Sequence, residues 1–451
     1  MPAYFAERAL TPDGWLRDVR IAVGADGTIE SLVPGADAAG AERLAGPVVP
    51  GMVNLHSHAF QRVMAGMAER LGNAEDDFWT WRRTMYAVVE RLGPDEMEAV
   101  ARHLYVELLK SGYTTVAEFH YVHHAADGHP YDDPAELSAR IIAAAADTGI
   151  GLTLLPVLYA HGGFGGLAVT EAQRRFANGV EDFLKLRARI PAPRIGCVGS
   201  AFHSLRAVTP DEMEAALRGL PDGVPLHIHV AEQEREVADC LAWSGLRPIR
   251  WLFEHMPVDG RWCLVHATHA DPDELAAMAA SGAVVGLCPT TEANLGDGIF
   301  PATGYVRLRG AFGIGSDSHV CVDPAEELRW LEYGQRLVER RRNRLADAAR
   351  PSIGAFLHHA ACMGGARASG QPVGALAPGR RADLVVLDGA HALLRECPNG
   401  AVLDRWLFAG SARLVRDVMV AGDWVVRDGY HAVEAVAAQG FASACRGLLD
   451  G

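Results

Sequence analysis

The chain has 451 residues, of which 49% are hydrophobic and 22% are charged, so it is expected to fold and not to remain disordered. Its 42 basic and 56 acidic residues give a net charge of −14, which argues against nucleic acid or an anionic membrane as the main partner. No apolar run reaches the roughly 18 residues of a membrane-spanning helix, and the N-terminus lacks a signal-peptide pattern. The eight cysteines are scattered, without a C-x-x-C pair. We therefore expect a cytoplasmic protein with reduced thiols.

Both ends of the chain predict short β-strands. Near the N-terminus, residues 15–33 alternate apolar and polar side chains around a Gly-Ala-Asp-Gly turn, which is typical of a hairpin. Near the C-terminus, residues 382–387 and 415–426 resemble strands separated by glycine turns. We expect residues 1–47 and 371–451 to combine into one small β-sandwich-like domain.

The central segment, residues 48–370, alternates apolar strands with capped helices. Thr209 and Asp271 each precede a Pro-Asp-Glu sequence, which predicts a capping box with proline at the first helical position. Strands are predicted at residues 48–55, 195–202, 225–230, 262–266, 283–287 and 312–315. So many strand–helix units predict an α/β protein with a (β/α)₈ barrel. An open doubly wound sheet is the alternative, but no G-x-G-x-x-G follows the first strand.

Histidines and one carboxylate lie at the ends of four predicted strands. His56 and His58 follow the first strand, and their i, i+2 spacing directs both imidazoles to the same side. His229, His266 and Asp317 lie at the ends of three later strands. A barrel brings the carboxyl ends of its strands to one face. Imidazole and carboxylate groups together suit Zn²⁺ or another first-row divalent ion.

These strand-end residues, with β segments at both chain ends, resemble the amidohydrolase superfamily over nearly the whole chain. Binuclear members of that superfamily usually carry a carboxylated lysine that bridges two metal ions. The chain has only two lysines, Lys110 and Lys185, and both lie in predicted helices. This departure from the binuclear pattern points to the mononuclear deaminase branch and to one divalent ion per subunit, for which zinc is expected.

Four local motifs make the resemblance more specific. They are His56-Ser-His-Ala-Phe-Gln-Arg62, Glu118-Phe-His-Tyr-Val-His-His124, Phe202-His-Ser-Leu-Arg206 and Thr291-Glu-Ala-Asn-Leu-Gly-Asp-Gly-Ile-Phe-Pro301. They are similar to motifs of the formimidoylglutamate deiminase family. The resemblance implies a homodimer that hydrolyses N-formimino-L-glutamate, a small anionic amino-acid derivative, to N-formyl-L-glutamate and ammonia in histidine degradation.

The resemblance also implies a role for individual residues. The expected metal ligands are His56, His58, His229 and Asp317. The expected catalytic residues are Asp317, which accepts a proton from water, His266, which orients that water, and Glu232, which protonates the departing nitrogen. The expected substrate-binding residues are Gln61, Arg82, Tyr121, His203 and Arg206.

Arginine suits the two substrate carboxylates because its planar fork can donate two parallel hydrogen bonds to each. Arg206 follows a predicted strand, whereas Arg82 is predicted to lie in a loop, where stacking on tryptophan is an equally good interpretation. His227, two residues before His229, is expected to pack in a lower layer of the barrel. Two alternatives remain: a purine or pyrimidine deaminase with the same metal centre, and an inactive barrel that serves as a scaffold.

Overall fold

The computed structural model describes residues 2–67, 69 and 78–449. The described strands are, in chain order, β1 Ala3–Thr11, β2 Gly14–Val23, β3 Ile29–Val33, β4 Glu42–Arg43, β5 Val48–Pro50, β6 Met52–Ser57, β7 Tyr113–His120, β8 Gly151–Leu158, β9 Gly196–Val198, β10 Ser200–Ser204, β11 Leu226–Val230, β12 Trp262–His266, β13 Val284–Leu287, β14 Ala311–Ile314, β15 Leu384–Leu387, β16 Val415–Val420, β17 Asp423–Arg427 and β18 Tyr430–His431.

The described α-helices are α1 Phe78–Arg91, α2 Pro94–Ser111, α3 Glu136–Thr148, α4 Val180–Arg189, α5 Pro210–Gly219, α6 Glu234–Ser244, α7 Pro248–His255, α8 Pro272–Ser281, α9 Pro289–Leu295, α10 Ala302–Arg307, α11 Pro324–Glu339, α12 Ile353–Ser369, α13 Val402–Ala409 and α14 Glu434–Leu449. Both predicted capping boxes are present: Thr209 caps α5 and Asp271 caps α8. Within the described part of the chain, no helix is long and apolar enough to cross a bilayer.

Eight parallel strands close into a barrel, which confirms the predicted fold class. The closed order is β6, β7, β8, β10, β11, β12, β13, β14 and back to β6, with β9 added beside β8. Every residue of β7 and of β8 is buried, as expected for parallel strands covered by helices on one side and packed in a barrel on the other. The carboxyl ends of all eight strands therefore share one face.

Strands from both chain ends form a second sheet, as the terminal patterns predict. Its order is β18-β17-β16-β15-β5-β1-β2-β3, with β4 paired to β1. The predicted hairpin at residues 15–33 is β2 and β3, which pair in antiparallel fashion.

All eight cysteines are free thiols.

The apolar run at residues 48–55, predicted as one strand, is divided between the two sheets. Strand β5 pairs with β1 and β15 in the terminal sheet, whereas β6 belongs to the barrel. Gly51 lies between them, where a Cβ would come within 2.2 Å of the Thr114 side chain. Hydrophobicity alone could not reveal this break, because the residues on both sides of it are buried.

Candidate metal centre and substrate pocket

Four of the predicted residues converge at the carboxyl face of the barrel. Nε2 of His56 lies 3.1 Å from Nε2 of His229 and 3.4 Å from Oδ1 of Asp317. Nε2 of His58 lies 3.4 Å from the same Asp317 oxygen. Ligand atoms at about 2.0–2.1 Å from a tetrahedral zinc ion are about 3.3–3.4 Å apart. These separations fit one first-row divalent ion.

Hydrogen bonds made by Nδ1 outside the cluster direct unprotonated Nε2 atoms into it. Nδ1 of His58 lies 3.0 Å from the carbonyl oxygen of Phe119, and Nδ1 of His229 lies 2.8 Å from that of His203. A carbonyl can only accept, so each Nδ1 carries the proton and each Nε2 presents a lone pair. A lone pair of His58 and a carboxylate oxygen of Asp317 face each other at 3.4 Å, an arrangement that suits a cation bound between them.

Burial keeps these imidazoles in the form that binds metals. It lowers the pKa of His56 and of His229 well below the usual range, and it lowers the pKa of His58. Neutral imidazole is the ligand form of histidine, so the electrostatics agree with the geometry.

His266 lies beside the cluster, hydrogen-bonded to one carboxylate and within 4 Å of two others. Its Nδ1 is 3.3 Å from Oε1 of Glu292, and its Nε2 is 3.8 Å from Glu232 and 3.9 Å from Oδ2 of Asp317. Burial by itself lowers the pKa of His266, but the carboxylates of Glu232 and Glu292 outweigh it and raise that pKa to about 10. Burial also raises the pKa of Glu232 above the usual range of a glutamate.

The backbone of this face is strained at two of the predicted site residues. His266 and Asp317 have φ of 67° and 45°, in the left-handed region that non-glycine residues rarely adopt. Each such residue costs about 1–3 kcal/mol and persists only where its surroundings fix it. The two side chains face each other at 3.9 Å, so the strained positions both belong to the candidate site.

A buried glutamate supports the segment that carries the first two histidines. Glu118 accepts hydrogen bonds from the Ser57 hydroxyl at 2.5 Å and from the Ala59 backbone N–H at 2.7 Å. The Ser57 hydroxyl oxygen also lies 3.1 Å from Nε2 of His319. Burial raises the pKa of Glu118 to about 7. This network connects the His-Ser-His segment to strand β7 and to the loop of Asp317.

One pocket opens next to the cluster, and its lining includes every predicted substrate-binding residue. The lining residues are His58, Gln61, Trp81, Arg82, Met85, Tyr121, Tyr159, Phe176, His203, Arg206, His229, Glu232, His266, Leu295 and Asp317. Gln61 donates to the Tyr121 hydroxyl at 3.0 Å. The structure therefore brings the five predicted substrate-binding residues together in one pocket.

The prediction that Arg82 lies in a loop is wrong, because helix α1 begins at Phe78 and includes it. The guanidinium carbon of Arg82 lies 5.2 Å from the centre of the Tyr86 ring, one helical turn further on. The aromatic residues around Arg82 looked like a loop because bulky side chains are modest helix formers. The helix holds Arg82 over the pocket.

Several pocket residues were missed by sequence reasoning. Trp81, Met85, Tyr159, Phe176 and Leu295 line the pocket, and Glu292 lies behind His266. The position of Tyr159, directly after β8, was a usable signal, because strand ends of a barrel face the active site. Glu292 belongs to a motif that the sequence singled out without a role.

The predicted exclusions agree with the structure. Lys110 pairs with Glu434 at 2.6 Å and Lys185 with Glu181 at 2.7 Å, so neither lysine reaches the cluster. His227 lies below the site, where its Nε2 donates to the carbonyl oxygen of Ala368 at 2.8 Å. It packs in a lower layer of the barrel.

Comparison with known proteins identifies the family. The sequence profile described as "Amidohydrolase family" matches residues 48–425. The chain belongs to the amidohydrolase family. A second profile, "Formimidoylglutamate deiminase HutF, N-terminal domain", matches residues 1–46 of this amidohydrolase.

Individual relatives agree with this assignment. A formimidoylglutamate deiminase of Pseudomonas aeruginosa is 60% identical over 453 residues, covering 100% of both chains. The crystal structure of an amidohydrolase from Brucella melitensis matches with a TM-score of 0.95 and 48% identity, again over 100% of both chains. An adenosine deaminase from Xanthomonas campestris with bound zinc shares the fold, with a TM-score of 0.78 and 23% identity over 98% of both chains.

Proposed function

We propose that this amidohydrolase hydrolyses N-formimino-L-glutamate to N-formyl-L-glutamate and ammonia, a step of histidine degradation. The observation that carries the proposal is the shared pocket of Arg82, Arg206 and the His/Asp cluster. Two arginines in a protein of net charge −14 match a substrate with two carboxylates. The full-length relative named formimidoylglutamate deiminase supports the same substrate.

His56, His58, His229 and Asp317 would hold the divalent ion, for which we propose zinc at one ion per chain. A cation held there supplies Lewis acidity, which lowers the pKa of a water molecule to about 7 in zinc hydrolases. The four proposed ligands form a cluster beside the pocket. The substrate would approach the ion from the side of the cluster that faces the pocket. The absence of a suitably placed lysine supports a single ion.

Asp317 is suited to accept a proton from the attacking water. Its Oδ1 faces His56 and His58, whereas its Oδ2 faces His266 at 3.9 Å. The second oxygen is thus turned toward the reacting space. A carboxylate within hydrogen-bond reach of the water can act as the general base. His266, whose Nε2 points to the same space, orients the water and stabilises negative charge on its oxygen.

Glu232 is suited to carry a proton to the departing nitrogen. The oxygen of water bonds to the amidine carbon, the bond from that carbon to its terminal nitrogen breaks, and both protons of the water end on that nitrogen. Burial raises the pKa of Glu232, so its carboxyl group can hold a proton near neutral pH and release it to the nitrogen. Ammonia then leaves and the formyl carbonyl remains.

The polar residues that line the pocket would bind the two substrate carboxylates. Arg206 and Arg82 supply the charge, and Gln61, Tyr121 and His203 supply further hydrogen-bonding groups. Burial and Arg206 hold the pKa of His203 well below its usual range, so His203 is neutral and can accept as well as donate. A homodimer stays an expectation from the family resemblance, and a cytoplasmic location stays a prediction from the sequence.

A comparison of substrates tests the proposal. Ammonia release is measured with N-formimino-L-glutamate, guanine and cytosine, using protein that contains one zinc ion per chain. We expect a clear preference for N-formimino-L-glutamate. A preference for either ring compound would favour the purine or pyrimidine deaminase instead, and no release from any of the three by the zinc-loaded protein would favour the inactive scaffold.

A further inference from the structure

Tyr159 lies directly after strand β8, where the strand opens onto the substrate pocket. The residue is 3% exposed, and its backbone N–H donates to the side chain of Asn178 at 3.0 Å. Its ring lies against that of His203, with 4.5 Å between the ring centres. Tyr159 is therefore a fixed part of the pocket wall, and the direction of its hydroxyl proton can be deduced from its partners.

Gln173 approaches the Tyr159 hydroxyl with its amide nitrogen. The backbone N–H and the hydroxyl of Thr170 both reach Oε1 of Gln173, at 2.8 and 2.9 Å. A backbone N–H can only donate, so this amide oxygen must face Thr170. Nε2 of Gln173 consequently faces Tyr159 and donates to its hydroxyl oxygen at 2.7 Å.

Arg82 provides a second donor to the same oxygen. Its NH2 group lies 3.3 Å from the Tyr159 hydroxyl. A phenolic oxygen accepts about two hydrogen bonds and donates one. Gln173 and Arg82 have no acceptor at the atoms they present, so the proton of Tyr159 cannot point at either. The Tyr159 hydroxyl is therefore able to donate this proton to an acceptor in the pocket.

We infer that the Tyr159 hydroxyl binds the side-chain carboxylate of the substrate together with Arg82. The inference rests on the proposed function, since it names how that substrate is recognised. A carboxylate is an acceptor only, which matches a hydroxyl whose remaining capacity is to donate. The two donors on the hydroxyl oxygen also polarise its O–H bond, which strengthens the hydrogen bond that it donates.

The assignment to the side-chain carboxylate follows from the shape of the substrate. Its α-carboxylate is attached to the carbon that bears the amidine nitrogen, whereas two methylene groups separate that carbon from the side-chain carboxylate. Arg206 lies near the reacting end, because its Nε donates at 3.5 Å to the hydroxyl of Ser204, the neighbour of His203, whose carbonyl oxygen accepts from Nδ1 of His229 at 2.8 Å. Arg82 lies on helix α1 and not at a strand end, and its guanidinium carbon is 5.2 Å from the centre of the Tyr86 ring. Arg82 and Tyr159 therefore serve the outer end.

Tyr159→Phe tests this inference, because it removes only the hydroxyl. Three substrates are compared: N-formimino-L-glutamate, N-formimino-4-aminobutyrate, which lacks the α-carboxylate, and N-formimino-L-norvaline, which lacks the side-chain carboxylate. We expect kcat/KM to fall about 10- to 100-fold on the first two, mainly through KM, because a hydrogen bond to a charged group is lost. On the norvaline compound, wild type and variant should be alike.

Tyr305→Phe is the matched control, since its buried hydroxyl contacts the carbonyl oxygen of Ala311 away from the pocket. Equal losses of Tyr159→Phe on all three substrates would overturn the inference, because they would indicate a general effect on the fold. A loss confined to the norvaline compound and N-formimino-L-glutamate would overturn it by assigning Tyr159 to the α-carboxylate. Wild-type protein inactive on all three would instead refute the proposed function, and the inference with it.

Discussion

Oε1 of Glu292 lies 3.3 Å from Nδ1 of His266, on the edge of the ring opposite to the atom that faces Asp317 and Glu232. The same oxygen accepts the backbone N–H of Cys288 at 2.9 Å, which fixes it at the start of helix α9. Glu292 thus determines that Nδ1 of His266 carries a proton and which way Nε2 points. A carboxylate behind a catalytic imidazole has this role in many hydrolases.

Glu292→Gln should lower kcat about 10- to 100-fold with little change in KM, because the amide keeps the shape but removes the charge that supports His266. Steady-state kinetics and metal content are measured on the same preparation. The metal content should stay at the wild-type value, since Glu292 faces a residue outside the proposed ligand set. An unchanged kcat would show that His266 does not depend on this carboxylate.

Arg206→Ala should raise the KM for N-formimino-L-glutamate by at least about 30-fold, because a buried carboxylate would lose its charged partner. Arg206→Lys should recover only part of the loss, since lysine lacks the planar fork. Arg218→Ala, an exposed arginine paired with Glu214 on helix α5, serves as the control. The assignment fails if Arg206→Ala retains the wild-type kcat/KM while remaining folded and metal-bound.

Removal of the metal should abolish ammonia release, and one equivalent of Zn²⁺ per chain should restore it. The metal-free protein should also unfold at a lower temperature, because an ion that binds only the folded state stabilises it. Elemental analysis, activity and thermal unfolding are followed in parallel. Two ions per chain, or full activity in metal-free protein, would contradict the mononuclear site.

Buried His358 should make stability fall as the pH drops below neutrality. Burial lowers its pKa to about 4, whereas an unfolded histidine titrates near 6.5. Between these values the unfolded chain binds a proton that the folded chain does not, so stability is full above 6.5 and decreases as the pH falls toward 4. At pH 5 this histidine alone should account for a loss of about 2 kcal/mol relative to pH 7.

Urea unfolding at pH 7 and pH 5 measures this effect. His358→Asn should lose less stability between the two pH values than the wild type, because asparagine does not titrate. His129→Asn, at an exposed position, should behave like the wild type. Equal losses of unfolding free energy in His358→Asn and the wild type would contradict the assignment of this pH dependence to His358.

Much of this architecture could be predicted from residues that are close in sequence. The capping residues Thr209 and Asp271 predict where their helices begin. The His56-x-His58 spacing on a strand places both imidazoles on the same side of that strand. The barrel then brings together His229, His266 and Asp317, because parallel strands that alternate with helices must end on one face. The convergence of these side chains on one face could therefore be predicted from the sequence.

The remaining features depend on contacts between distant residues. Glu292 meets His266, and Gln173 orients Tyr159, through side-chain geometry that leaves no periodic signal in the sequence. The division between β5 and β6 depends on pairing with β15, more than 300 residues away. Arg82 was misplaced because its helix is stabilised by packing over the pocket and not by the helix propensity of its aromatic residues.

Analysis of the reaction products shows which carbon–nitrogen bond is cleaved. N-formimino-L-glutamate labelled with ¹³C at the amidine carbon is incubated with the zinc-loaded protein and followed by NMR, while ammonia is quantified. With Glu232 protonating the terminal nitrogen, we expect the label only in N-formyl-L-glutamate, with one ammonia for each substrate consumed. Label in formamide together with free glutamate would mean that the other bond breaks, and would contradict the proposed reaction.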